Sequence, residues 1–207
     1  MLKINNVSKV IRKKEVLTDI TLEINDGDYV LIKGHNGCGK TMLLRMLCGL
    51  IHADSGEISE DREHSYGVII ENPSFLPGES AIYNLKYLAS INKKVNEEKI
   101  EYYLKKLNLY DVRHKKVRTF SLGMKQRLAI VQAIMEGPDI LLLDEPFNAI
   151  DDENLDIIYK MLDEYKEKGK IIVIASHGDY REKCGFNRII SMNSGRITAD
   201  EKIAAAV

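Results

Sequence analysis

The stretch Gly34-His35-Asn36-Gly37-Cys38-Gly39-Lys40-Thr41 has the residue types and the spacing to hold a triphosphate. It fits G-x-x-x-x-G-K-[ST]. Glycines let backbone N–H groups close around a phosphate, and a following helix N-terminus adds partial positive charge. In this reading Gly34 to Lys40, with Met42 behind them, form the cradle. Lys40 reaches the β- and γ-phosphates, and the Thr41 hydroxyl ligates Mg²⁺. A glycine-rich turn without a ligand would have no need of the Lys-Thr pair. The chain is therefore expected to bind a nucleoside triphosphate with Mg²⁺.

A second group of residues lies about a hundred positions on. Ile140-Leu-Leu-Leu-Asp144-Glu145-Pro146 is an apolar run ending in adjacent carboxylates. The first carboxylate can hold Mg²⁺ and the second can polarise an attacking water. Alone this is weak, because acidic residues commonly end strands; beside a phosphate loop it gains force.

Both groups need rigid elements behind them. Tyr29–Ile32, Ile140–Leu143 and Lys170–Ala175 are nearly continuous in branched apolar residues, as expected of parallel strands covered on both faces. Thr41–Leu50 and Asn154–Lys168 have helical spacing, so the alternation predicts a three-layer α/β core. The first ~25 residues alternate apolar and polar positions, which predicts a small antiparallel sheet. From Ser80 to Glu136 the spacing is helical (Ile82, Leu85, Leu88; Leu104, Leu107; Leu128, Val131), with almost no strand signal. We read an inserted helical subdomain over 73–136, bracketed by Asn72-Pro73 and Gly137-Pro138, between core segments 1–72 and 137–207. Asn193-Ser194-Gly195 predicts a late hairpin turn.

Composition narrows the function classes. In 207 residues, 30 Lys and Arg nearly balance 31 Asp and Glu, giving a net charge of −1, so nucleic acid is not expected as a partner. Cys38, Cys48 and Cys184 are too scattered for a disulfide framework or a metal knuckle and suit a reducing compartment. The N-terminus lacks the apolar core of a signal peptide, and no apolar run approaches the ~18 residues of a membrane span. Work at a membrane would require another polypeptide to span it.

Ahead of the carboxylate pair lies Phe120-Ser121-Leu122-Gly123-Met124-Lys125-Gln126-Arg127. The order of phosphate loop, helical insert, S-x-G-x-x-Q-R, L-L-L-D-E-P and a strand followed by His177 resembles the ATP-binding subunit of ABC transporters, from about Leu2 to Ile197. The resemblance implies a P-loop NTPase core of mixed, mainly parallel sheet, with an N-terminal antiparallel β subdomain and an inserted α-helical subdomain. It implies that Gly34–Thr41 is the Walker A loop, Asp144 and Glu145 the Walker B pair with Glu145 as general base, and His177 the switch histidine at the γ-phosphate. Ser121 and Gly123 would be the signature residues, touching the γ-phosphate of ATP held by a second subunit from a helix starting near Met124. Asn148-Ala149-Ile150-Asp151 would be the D-loop linking two ATP sites. Ser121 reads equally as a helix N-cap, and Asp151 as the start of the next helix.

The family also implies a cytoplasmic ATPase, peripheral on the inner face of the membrane, that self-associates around two ATP molecules or pairs with a related subunit and drives an integral membrane permease. Soluble relatives acting in translation or DNA repair, or a non-hydrolysing regulatory module, are the competing expectations.

Four departures stand out. The signature is S-L-G-M rather than S-G-G-Q. Glu71 stands where the Q-loop glutamine is usual, which would place a carboxylate near Mg²⁺ and shift the metal dependence. No aromatic residue occurs before Asp28; the position expected to contact the base falls near Ile11, predicting weak base selectivity. Cys38 lies inside the phosphate loop, either as a reactive thiol near a helix N-terminus or as an inert small residue. The Glu71 and S-L-G-M variants together are similar to the exporter branch linked to bacitracin resistance and lantibiotic self-protection. Phe75, Leu76 and Pro77 read either as part of a docking surface for the permease or as cover for the lobe's own core.

Overall fold

A computed structural model describes residues 1–71, 74–92, 95–178, 180 and 183–203. Strands β1 (Leu2–Ile11), β2 (Lys14–Ile24) and β4 (Ser55–Glu60) form an antiparallel sheet with β1 in the middle. The second sheet has the order β5 (Tyr66–Ile69), β6 (Ile140–Asp144), β7 (Ile171–Ser176), β3 (Tyr29–Lys33), β8 (Arg188–Asn193) and β9 (Arg196–Lys202). Its pairings are parallel except for the edge hairpin β8–β9.

The period-2 geometry of strands decides where the layers go. Val30, Ile32, Leu142, Val173 and Ala175 point to one face, packing with helix α1 (Lys40–Leu47) and the antiparallel sheet. Their neighbours Tyr29, Leu31, Leu141, Leu143, Ile172 and Ile174 point to the other face. There they meet α2 (Ala81–Ile91), α3 (Glu97–Lys106), α4 (Leu122–Ile134) and α5 (Asp152–Glu167). Each Val, Leu or Ile among them contributes roughly 1.5–3 kcal/mol on burial, so the continuous apolar runs serve two cores at once. This is the expected α/β architecture, with helices α2, α3 and α4 in the segment read as inserted. The proposed boundary at Asn72-Pro73 lies outside the described residues.

Details differ from the sequence reading. The first long helix ends at Leu47 rather than Leu50, with Cys48 at its C-cap. Strand β4 was not anticipated: it is a sheet edge whose residues are mostly exposed, so it carries little apolar pattern. The β8–β9 hairpin turns through Ser194 and Gly195, both at positive φ, as expected. An unanticipated turn of the same kind joins β1 to β2 through Arg12 and Lys13, at φ 50° and 66°.

Two polar clusters pin the strand starts. Asp139 accepts from Lys170 Nζ (2.7 Å) and from the Ser65 N–H (3.1 Å) and hydroxyl (2.8 Å), tying β5, β6 and β7 together. Buried Arg188 donates bidentately to Asp200 on β9 (2.7 and 2.6 Å) and to the Glu23 carbonyl on β2.

Candidate active site

The phosphate loop leaves β3 at Lys33 and feeds α1 at Lys40. Gly34 is compelled by packing: a Cβ there would lie 2.4 Å from the Met192 carbonyl oxygen and 2.6 Å from Cys38 Sγ. Gly39, at φ 112°, supplies the left-handed residue that turns the loop into the helix. Lys40 is buried and its Nζ donates to the Gly34 carbonyl at 2.7 Å, which holds the ammonium over its own loop. Beside the loop is a cavity of about 430 Å³ lined by Asn36, Gly37, Gly39, Lys40, Thr41 and Met42, and by Lys14–Val16 on the wall that β2 supplies.

Among the described residues, that wall does not include Ile11. The residue expected to contact the base lies outside this lining. Ile11 ends β1, the turn consumes Arg12 and Lys13, and the chain reaches the cavity only on β2. The wall there is Lys14, Glu15 and Val16, still without an aromatic ring. Cys38 is 1% exposed and packed in the core beneath the loop, so its thiol acts as a small space-filler; the reactive alternative requires access that this burial denies.

Thr41 Oγ1 donates to Asp144 Oδ2 at 2.6 Å, joining the first turn of α1 to the end of β6. Burial pushes the Asp144 carboxyl up from its ordinary range, and the charges of Glu145 and Glu71 push the same way, against the Thr41 hydrogen bond and Lys40. A hydroxyl and a carboxylate whose ionised form is disfavoured by its surroundings are hard oxygen donors suited to a small divalent cation, and the donor set fits Mg²⁺.

Glu145 follows with φ 47°, an uncommon conformation that turns its side chain back onto the end of β7. Its Oε2 accepts from the Ser176 hydroxyl at 2.8 Å; its Oε1 accepts from the His177 N–H at 2.9 Å and lies 2.7 Å from His177 Nδ1. The two residues expected to be catalytic therefore touch each other. Ser176, 1% exposed, was missed by the sequence reading, which ended the strand one residue early. Gln126 was also missed. Its amide donates to the Glu145 and Pro146 carbonyls at 3.3 and 3.2 Å, anchoring the Walker B end to α4.

A second cavity, of about 340 Å³, is lined by Glu71, Leu122, Gln126, Asp144, Glu145 and Asn148. Glu71 is at φ 59° and its carboxylate is paired with Arg45, one helical turn after Thr41 on α1. Thr41 and Arg45 share a helix face, so α1 holds Asp144 with one residue and Glu71 with the other.

The signature residues sit apart from the phosphate-loop cavity. Ser121 caps α4, its hydroxyl accepting from the Met124 N–H at 3.2 Å, and the helix begins at Leu122 rather than Met124. Gly123 packs against the Ala149 carbonyl, and Asp151 caps α5 by accepting from the Asn154 N–H at 3.0 Å. That bond and the Asn154 side chain hold the Asp151 carboxyl below its usual range. Phe75 packs on the core, whereas Leu76 is exposed.

Comparison with known proteins identifies the lineage. A family model described as ABC transporter matches residues 17–148. The chain is 41% identical to the uncharacterized ABC transporter ATP-binding protein YybJ of Bacillus subtilis, over 98% of this chain and 97% of that one. It is 35% identical to the lantibiotic transport ATP-binding protein SrtF of Streptococcus pyogenes, covering 86% of this chain and 80% of the relative. Its fold superposes with TM-score 0.89 and full coverage of both chains on the ATP-binding cassette MJ0796, solved as a dimer in a post-hydrolysis state with ADP and Pi, at 24% identity. With the geometry above, these matches establish that the chain belongs to the ABC transporter family, as its ATP-binding ATPase subunit.

Proposed function

We propose that this subunit hydrolyses MgATP to drive a separate membrane permease of the exporter type, handling a peptide antibiotic or similar drug. The contact of Glu145 with Ser176 and His177, next to the Thr41–Asp144 pair, carries the hydrolytic part. Donors on both oxygens fix the Glu145 carboxylate in one orientation, as a general base must be to accept a proton from an attacking water. Thr41 and Asp144 would hold Mg²⁺, which when bound neutralises charge on the phosphates. Lys40 exchanges its loop carbonyls for phosphate oxygens, and His177 stands beside the base to meet the γ-phosphate. Glu71 would reach the metal only by leaving Arg45, so the metal dependence reports the strength of that ion pair.

Export of a peptide antibiotic is supported by the likeness to SrtF, whose name records lantibiotic transport. Among the described residues no helix is long and apolar enough to cross a membrane, consistent with a subunit bound to the inner face of the cell membrane through its permease. Two copies, or this chain and a related one, would close head to tail, Ser121 and Gly123 of each completing the other's ATP site; the dimeric MJ0796 cassette shares the fold.

Glu145→Gln should lower turnover by roughly 10²–10⁴-fold while nucleotide affinity is kept, measured by phosphate release and equilibrium binding. Substantial residual hydrolysis would sink the general-base assignment. Purification from detergent-solubilised membranes should bring down a multi-span partner; a protein that comes alone, or with ribosomal or repair factors, argues against the transport reading.

A further inference from the structure

Gly123 and Arg127 are four residues apart on α4 and so share one helix face. That face rests on the segment running from the 148–151 loop into α5. At its first turn Gly123 lies so close that an added Cβ would be 2.3 Å from the Ala149 oxygen. One turn later Arg127 Nη1 donates to Asn154 Oδ1 at 3.0 Å and to the Leu107 carbonyl at 2.9 Å. Asn154 is 6% exposed, and its amide nitrogen donates to both Asp151 oxygens, at 2.7 and 2.9 Å. Asn108 adds a second donor to Asn154 Oδ1 at 3.2 Å.

The chemistry leaves no choice of orientation. Arginine only donates and an ionised carboxylate only accepts, so a residue bridging them must do both, and an amide does. The Asp151 cap itself needs only the Asn154 backbone N–H. The side-chain amide is surplus to capping, and what it adds is a link from the 148–151 loop to α4.

We infer that Asn154 is a positioning residue: through Arg127 and Asp151 it locks the signature turn and the 148–151 loop of one chain into a single body. The surface offered to a second copy is then assembled before that copy arrives, and its ordering cost is met during folding. This inference rests on the head-to-tail reading above and names the residue that makes the pairing surface rigid.

The test uses the full chain carrying Glu145→Gln, so that ATP is not consumed. Dimerisation with MgATP is followed by sedimentation, and ATP affinity is measured below the dimerising concentration. Asn154→Leu, with the same branched outline but none of the side-chain hydrogen bonds, should weaken dimerisation roughly tenfold or more, with monomer ATP affinity within about twofold of the parent. Arg127→Lys, which keeps the charge and one donor, should fall between. Thermal melting confirms that each variant is folded at the assay temperature. A folded Asn154→Leu that dimerises like the parent overturns the inference, as does equal loss of ATP affinity and dimerisation in both variants. A parent that stays monomeric with MgATP overturns the head-to-tail reading and this inference with it.

Discussion

Gly34 and Gly123 each meet another segment's backbone so closely that a Cβ would collide with a carbonyl oxygen, at 2.4 and 2.3 Å. The partners differ in kind. Gly34 meets Met192, inside β8 of the central sheet, with Cys38 packed below it. Gly123 meets Ala149, an exposed residue at φ 60° outside regular structure, whose neighbourhood is held by side-chain amides and a guanidinium. The phosphate loop is thus fixed by the sheet, while the signature turn is fixed by a polar network over a loop. Damage should accordingly stay local to ligand binding in the first region and spread to assembly in the second.

Lys40→Ala tests the first region and should have the larger effect. Removing a charge-assisted donor worth ~1.5–3 kcal/mol should weaken ATP binding by roughly 10–100-fold, with the melting temperature little changed because the lost partners are loop carbonyls at the cavity. A large fall in melting temperature would mean that the lysine props up the loop. Gly123→Ala tests the second. The added methyl must displace Ala149, so ATPase turnover should fall about tenfold or more with monomer ATP affinity retained, the reverse split. Parallel loss of both would erase the contrast.

The smallest effect concerns neither region directly, and so serves as a control. Lys170 and Ser65 hold the Asp139 carboxyl well below its usual value. A depressed folded-state pKa contributes stability that is present above the unfolded value near 3.9 and is lost as pH falls through the folded one. Asp139→Asn should therefore lower the melting temperature by about 2–4 °C at pH 7, the equivalent of ~1 kcal/mol. The gap should begin to narrow below about pH 4 and close only as the pH falls through the folded-state value, well below that. A gap independent of pH would assign the effect to packing.

The phosphate loop was legible in the sequence because its chemistry is contiguous: Gly34 to Thr41 carry the backbone geometry, the cation and the metal ligand in one stretch. The core strands were legible because burial on both faces leaves no polar gaps. What escaped depends on tertiary contact. Ser176 matters because Glu145 turns back toward it, Gln126 because α4 crosses the end of β6, and Arg45, one turn beyond Thr41, because the segment after β5 brings Glu71 to it. None of these pairings has a spacing that a sequence displays. Which residue of the N-terminal sheet lines the cavity was hidden for a related reason: register shifts along β1 and the two-residue turn after it bring Lys14–Val16 there and not Ile11.

The hairpin that closes the central sheet has a bearing on how the protein is made. Gly195 donates to the Cys38 carbonyl at 2.9 Å and accepts from the Thr18 N–H at 2.8 Å, and Ser194 and Gly195 line the wall of the phosphate cavity. The Gly34–Thr41 loop is therefore synthesised well before the hairpin that completes its surroundings. At ~5–20 residues per second, a ribosome needs many seconds to travel from Thr41 to Gly195, and through that interval the nascent chain carries the whole loop sequence without the β8–β9 hairpin that packs against it. Nucleotide meets a finished cavity only after Gly195 has been translated, so ATP acts as an inspector of a chain folded through the β8–β9 hairpin, not as a template for the growing one.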